Sequence, residues 1–307
     1  MKRSVVAFLL FADLFCRSVP LLAQPAPPST VMPPVRYVLV YGQRVAYYDL
    51  SNGKVLVLVH GFGTSAAIDW AQVIRPLSEH YRVIAIDNIG FGLSDKPTIA
   101  YTTQTFVDFI AEFLRDLGIT HFYLAGESMG GQIAALYAAE SAMPGATIPE
   151  VDKLVLSDAA ISDPKGPEAW PPPDRKPNGL VPSSVEAYRQ GLANGLFFNR
   201  AFATEAYARD VYEMLLTYHS APTAEALFSG AGDSKAQDYL RDHLRDIHIP
   251  TLIIWGQNDK IIPVTSGDYI HQTIASSKLV VVPECGHAPG MEKPGVFLNA
   301  IIPFLGQ

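Results

Sequence analysis

Three residues far apart in the chain carry the side chains that nucleophilic hydrolysis needs. Ser128 stands in "LAGESMGGQ" (residues 124–132), Asp259 closes "LIIWGQND" and His287 lies in "LVVVPECGHAPG". A serine hydroxyl is a weak nucleophile near neutral pH. It needs an imidazole to take its proton, and the imidazole needs a carboxylate to fix its tautomer. Gly126 and Gly130 flank Ser128 in the pattern Gly-x-Ser-x-Gly, the nucleophile elbow, a strained strand-to-helix turn that lifts the hydroxyl clear of a sheet. "HFYLA" before it reads as a strand and "QIAALYAAE" after it as a helix, which is the context the elbow requires. The order serine, acid, histidine is the one such sheets use.

Other titratable residues compete for roles. Asp158, at the end of "LVLSDAA", is the alternative acid, because it too follows an expected strand. His60 in "HGFG" reads as a loop brace, and Asp87, Gly90, Gly92 and Ser94 in "DNIGFGLSD" as architecture. Cys285, two residues before His287, reads as a small packing residue, and Glu292 with Pro294 as the start of the last helix. His219, His243, His248 and His271 show no metal-ligand spacing, so neither a metal site nor a cofactor is expected.

The elements that must position these residues follow from hydropathy. "RYVLVYGQRVAYYDL" (36–50) alternates around Gly42 and predicts an antiparallel hairpin. "VLVLVH", "YRVIAID", "HFYLAG", "DKLVLSD", "TLIIWG" and "KLVVVP" are the continuous apolar runs of strands buried on both faces, separated by helix-length sequence such as 103–117. This alternation predicts an α/β fold, a mostly parallel eight-stranded sheet with helices on both faces. Asp259 and His287 fall just past predicted strands, so their loops meet the elbow at one sheet edge. Residues 161–248 break the alternation with a Pro-rich entry and amphipathic stretches, and are expected to form an inserted helical cap between core segments 35–160 and 249–307.

Lys2 and Arg3 precede an apolar run from Val5 to Phe15, followed by small residues near Ala23. This is the layout of a signal peptide, expected over residues 1–23 and followed by a Pro-rich linker over 24–34, so the chain is expected to be exported, periplasmic or secreted. The apolar run is too short for a spanning helix of about 20 residues, so no stable membrane span is expected in the mature form. The formal charge of −7, from 23 basic and 30 acidic residues, argues against nucleic-acid binding. Cys285 alone would remain after cleavage and could form no internal disulfide.

With "HGFG", "DNIGFGLSD", "GESMGG", "WGQND" and "GHAPGMEKP" standing in order, the chain resembles the α/β-hydrolase family, in its branch of cap-bearing serine hydrolases that includes esterases, haloperoxidase-like enzymes and meta-cleavage-product hydrolases. The resemblance covers about residues 36–305. It implies Ser128 as nucleophile, His287 as general base and then acid, and Asp259 as the carboxylate behind it. It implies the backbone N–H groups of Met129 and Phe62 as the oxyanion hole, with the loop of Gly61 and Gly63 turning its amides inward. Asn88 and Ile89 depart from the family pattern.

The family also frames the substrate. Relatives that attack through aspartate, haloalkane dehalogenases and epoxide hydrolases, are excluded by the serine at 128. Carbon–carbon hydrolases carry a proline and an asparagine after the oxyanion loop, and "TSAAIDW" has neither. Trp170, Phe197, Phe198, Phe202, Tyr207, Tyr212, Met214 and Phe228 are expected to give the cap an apolar lining, which favours a small to medium apolar ester. Carbon–carbon hydrolysis of vinylogous diketones and perhydrolase chemistry are the alternatives, and a non-catalytic ligand-binding protein is the reading from another class. Oligomeric state stays open.

Overall fold

The computed structural model describes residues 32–164, 183–217, 220, 222–223, 226–227 and 239–306. The expected leader, most of the linker, Trp170 and Phe228 lie outside the described residues, as does the side chain of Met214.

Each apolar run in the sequence forms a strand: β3 (Val55–Val59), β4 (Arg82–Ile86), β5 (His121–Glu127), β6 (Glu150–Ser157), β7 (Thr251–Gly256) and β8 (Ser277–Val282). The hairpin β1 (Arg36–Val40) and β2 (Gln43–Leu50) turns through Tyr41 and Gly42, both at positive φ. The eight strands make one sheet in the order β1-β2-β4-β3-β5-β6-β7-β8. β1 pairs with β2 and β2 with β4 antiparallel, and every later pair is parallel.

β7 is buried at all six positions, and β3 and β4 at four of five, as parallel strands covered on both faces must be. On one face pack α3 (Thr103–Asp116) and α4 (Met129–Ser141), with α7 (Val264–Thr273) further along. Thr102 caps α3 by accepting the Thr105 N–H, and the helix buries Phe106, Val107, Ile110, Phe113 and Leu114 at helical spacing. The other face holds α1 (Ala66–Asp69), α2 (Ile74–Ser78) and α9 (Pro294–Leu305), where Trp70 packs on Phe297. Cys285 is buried and unpaired, so the described residues are held by burial at about 1.5–3 kcal/mol per large apolar side chain rather than by a covalent tie.

Between β6 and β7 the described elements are helical: α5 (Val185–Gly191), a π turn (Leu192–Leu196), a 3-10 turn (Arg200–Phe202) and α6 (Glu205–Thr217). Among the described residues no helix is long and apolar enough to cross a membrane.

Glu292 does not begin the last helix. It ends a separate one-turn helix, α8 (Pro289–Glu292), and Pro294 opens α9. Pro294 suits that first position, since its missing N–H would have had no helical acceptor.

Candidate active site

The elbow is built by close approach of backbone. A Cβ on Gly126 would sit 2.1 Å from the Gly130 carbonyl oxygen, and one on Gly130 would sit 2.2 Å from that of Val59. Glycine is therefore required at both ends of the turn. Ser128 between them holds φ 54° and ψ −119°, a strained conformation for a residue with a side chain. Its N–H donates to Ser157 O at 2.9 Å and its carbonyl accepts from Ala160 at 2.8 Å, so the end of β6 clamps the turn.

Three loops at one end of the sheet bring the expected residues together. His287 Nε2 lies 2.9 Å from Ser128 Oγ, and His287 Nδ1 lies 2.7 Å from Asp259 Oδ2. With Nδ1–H donating to the carboxylate, Nε2 is left to accept the serine O–H. Asp259 is fixed by the Ile261 and Ile262 N–H groups, which donate to its Oδ1 at 2.7 and 3.0 Å. The His287 N–H donates to Leu196 O in the inserted helical segment. Both His287 and Asp259 are buried, which strengthens the pairing relative to water.

Met129 is the first residue of α4, so its N–H, at the positive end of the helix dipole, has no acceptor within the helix. Phe62 lies in the neighbouring loop, where a Cβ on Gly61 would come 3.2 Å from Ser128 Cβ. The Gly61 N–H itself donates to Asp69 Oδ2 at 2.7 Å and Thr64 Oγ1 to the same oxygen at 2.8 Å, so the carboxylate at the end of α1 braces this loop. Gly63 takes the positive φ that bends the loop.

His60 braces, as its buried position in the loop requires. Nδ1–H donates to Gly61 O at 2.7 Å and Nε2 accepts the Asn88 N–H at 2.9 Å; burial pushes its pKa down to about 4, so the ring is neutral. Asp87 receives the Ala66 and Leu93 N–H groups, and a Cβ on Gly92 would strike its carboxylate. Ser94 donates to Asp87 O.

Sequence reasoning missed three polar groups, Asp69, Glu127 and Tyr188. Asp69 and Glu127 are buried close to the site. Burial pushes Asp69 up to about 6 against the hydrogen bonds from Gly61 and Thr64. Burial first, then the charges of Asp69 and Asp259, pushes Glu127 well above the carboxylate range. Tyr188 and Tyr207 of the inserted segment, the latter already expected in the lining, are both raised by burial first and by the charge of Asp69 second. Glu127 stood inside the elbow motif, the one available signal.

Of the aromatic residues expected to line the pocket, Phe197 is buried in the inserted segment, its ring 5.8 Å from Phe202 and 5.7 Å from Tyr207. Phe198 is 42% exposed and Phe202 38%. Phe197 is extended, and side chains alternate in extended backbone, so burying one sends its neighbour to solvent. Tyr212 is half-buried against Tyr188, with ring centroids 6.4 Å apart.

A family model described as the alpha/beta hydrolase fold matches residues 54–294. The chain is 28% identical over 282 residues to the 2-hydroxy-6-oxo-6-(2'-aminophenyl)hexa-2,4-dienoic acid hydrolase of Metapseudomonas resinovorans, spanning 89% of this chain and 91% of that one. It is 28% identical over 271 residues to a pimeloyl (acyl-carrier protein) methyl ester esterase of Aeromonas hydrophila, spanning 85% and 99%. A solved meta-cleavage product hydrolase from Pseudomonas fluorescens IP01 superimposes with a TM-score of 0.76 at 27% identity, spanning 88% and 97%.

Proposed function

The chain belongs to the alpha/beta hydrolase fold family, and on that premise we propose that it cleaves an uncharged, apolar carboxylic ester through an acyl-enzyme on Ser128. The observation that carries this reading is the unbroken chain Ser128 Oγ, His287 Nε2, His287 Nδ1, Asp259 Oδ2, with links of 2.9 and 2.7 Å. Ser128 Oγ attacks the ester carbonyl as Nε2 takes its proton, and the tetrahedral oxyanion is met by the N–H groups of Met129 and Phe62. His287 then gives the proton to the departing alkoxide. Water, deprotonated by the same Nε2, attacks the acyl-enzyme and releases the acid and Ser128. Loss of one oxyanion donor costs about 10²–10³ in rate in comparable sites.

Charge separates this reading from carbon–carbon hydrolysis. The relative from Metapseudomonas resinovorans acts, by its name, on a dienoic acid, an anion at neutral pH. Among the described residues, the charged groups acting on Asp69, Glu127, Tyr188 and Tyr207 are carboxylates and His287, and none is lysine or arginine. Surroundings without a cation offer no partner to an anionic substrate and tolerate a neutral ester. The methyl ester esterase supports the same side. Carbon–carbon hydrolysis is the second reading, favoured by the meta-cleavage relatives.

Residues 161–248 are read as the roof over this site and residues 1–23 as a leader that takes the enzyme out of the cytoplasm; the N-terminal mass of the exported protein tests the latter. The function is tested by offering the purified protein p-nitrophenyl esters of increasing chain length, a fluorophosphonate and a 2-hydroxy-6-oxo-dienoate. We expect an acyl burst with the esters and one phosphonate adduct, on Ser128. Faster turnover of the dienoate than of any ester would replace this reading with the second one.

A further inference from the structure

Asp158 adjoins the carboxylate that holds His287, and the reaction above gives it no task. It follows β6, is fully buried and has φ 41°. Its N–H donates to Ile254 O at 3.0 Å, and its Oδ1 accepts the Gly256 N–H at 2.9 Å, so β7 anchors it at backbone and side chain. Asp259 stands next to it at the end of β7. An oxygen of each lies within 4.8 Å of the other and of a His287 ring nitrogen.

Two carboxylates this close in a buried site cannot both be ionised, so one keeps a proton. The donors decide which. Asp259 accepts the N–H groups of Ile261, Ile262 and His287, whereas Asp158 accepts that of Gly256 and has Ser157 Oγ at 3.4 Å. Three donors hold charge on Asp259 and leave the proton to Asp158. The other titratable groups around Asp158 act the same way: Glu127 from the end of β5 opposes its ionisation, and Cys285 beside the histidine loop is a neutral thiol raised by burial.

We propose that Asp158 is a neutral carboxylic acid whose O–H donates to the Asp259 carboxylate, making it a positioning residue that holds Asp259 in the plane of His287 Nδ1. Its effect on rate rests on the serine-hydrolase reading; the location of the proton does not.

The experiment compares the full-length protein with Asp158→Asn and Asp158→Ala. Asparagine keeps the shape, accepts from Gly256 through its carbonyl and donates to Asp259 through its amide; alanine can do neither. The infrared spectrum of the parent minus that of Asp158→Asn, near neutral pH, is expected to contain the carbonyl band of a protonated carboxylic acid. Asp158→Asn is expected to hold kcat on p-nitrophenyl acetate within about threefold. Asp158→Ala should lose about tenfold or more in kcat at similar KM, the scale of one hydrogen bond to a charged group. It should also shift the His287 Nδ1–H proton resonance, which Asp158→Asn leaves in place. An ionised carboxylate in the difference spectrum, or asparagine as damaging as alanine, overturns the proposal. If the parent hydrolyses no ester, the functional reading fails and the infrared and resonance measurements still decide this one.

Discussion

Ser128 and Asp158 end neighbouring parallel strands with the same rare backbone, φ 54° at one and 41° at the other, one step beyond the register pair Glu127 and Ser157. Each turns a side chain out of the sheet where a regular strand would bury or lose it. Such conformations cost a non-glycine residue about 1–3 kcal/mol. At Ser128 the strain serves to present a hydroxyl, so removing the side chain should relieve it. We expect Ser128→Gly to raise the unfolding free energy by about 1–2 kcal/mol over Ser128→Ala while both lose on the order of 10⁶ in kcat. Urea unfolding of the two variants, with ester hydrolysis alongside, checks this; equal stability would show that the turn is unstrained.

The elbow has no room for a methyl group. Gly126→Ala would set a Cβ 2.1 Å from Gly130 O, with the Gly131 nitrogen 2.7 Å away, all of it backbone. The strand and helix must part, taking Ser128 with them. We expect a loss of several kcal/mol in stability and no fluorophosphonate labelling of whatever soluble protein remains. Gly295→Ala is the control for the loss of a glycine as such, since a Cβ there meets nothing within 4 Å; it should label normally.

Asp69 and His60, in one loop region, pull stability in opposite directions as pH changes. Asp69 has its pKa raised from 3.8 to about 6, chiefly by burial, so the folded chain holds a proton that the unfolded chain releases. Its contribution is present at low pH and is lost as pH rises from about 4 through about 6. His60 is lowered from 6.5 to about 4, also by burial, so the unfolded chain binds the extra proton and stability falls as pH drops through the same range. Asp69→Asn keeps an acceptor for Gly61 and Thr64 and removes one arm. It should be more stable than the parent by up to about 3 kcal/mol above pH 6 and gain nothing near pH 4, at about 1.4 kcal/mol per pKa unit. Urea unfolding at pH 4, 6 and 8 measures the difference; a gain independent of pH would refute the titration argument.

How far the sequence could be read follows from where the information lies. The strands β3 to β8 were legible because burial on both faces demands uninterrupted apolar runs, and the elbow because its glycines are required by backbone contact that no other residue permits. Ser128, Asp259 and His287 could be named because each lies at the end of such a run. Asp158 was visible as a competitor for Asp259, but that the two carboxyls come within 4.8 Å of each other is a property of adjacent strand ends. Asp69 stayed hidden because nothing in "TSAAIDW" says that its carboxylate folds back on Gly61. Which of Phe197 and Phe198 is buried was not legible, because aromatic content does not disclose which way an extended segment alternates.

Glu292 joins the inserted segment to the histidine loop, a contact spanning 94 positions that no local pattern announces. Its Oε1 accepts the Gly286 N–H at 2.7 Å, and its Oε2 accepts those of Phe198 and Asn199 at 2.9 and 3.1 Å. Gly286 precedes His287, whose own N–H donates to Leu196 O, so the carboxylate and the backbone together fix the base against residues 196–199. Glu292→Ala leaves three backbone donors without this acceptor at about 1–3 kcal/mol for each that water cannot reach. Glu292→Gln keeps one oxygen but turns an amide N–H toward donors, so it should recover only part of the loss. We expect Tm to fall in the order parent, Gln, Ala. The kcat for ester hydrolysis should fall with it, because a looser segment lets His287 drift from Ser128, and a misplacement of about 1 Å can cost 10²-fold. A Tm loss with kcat unchanged would mean that Glu292 supports the fold without holding the base.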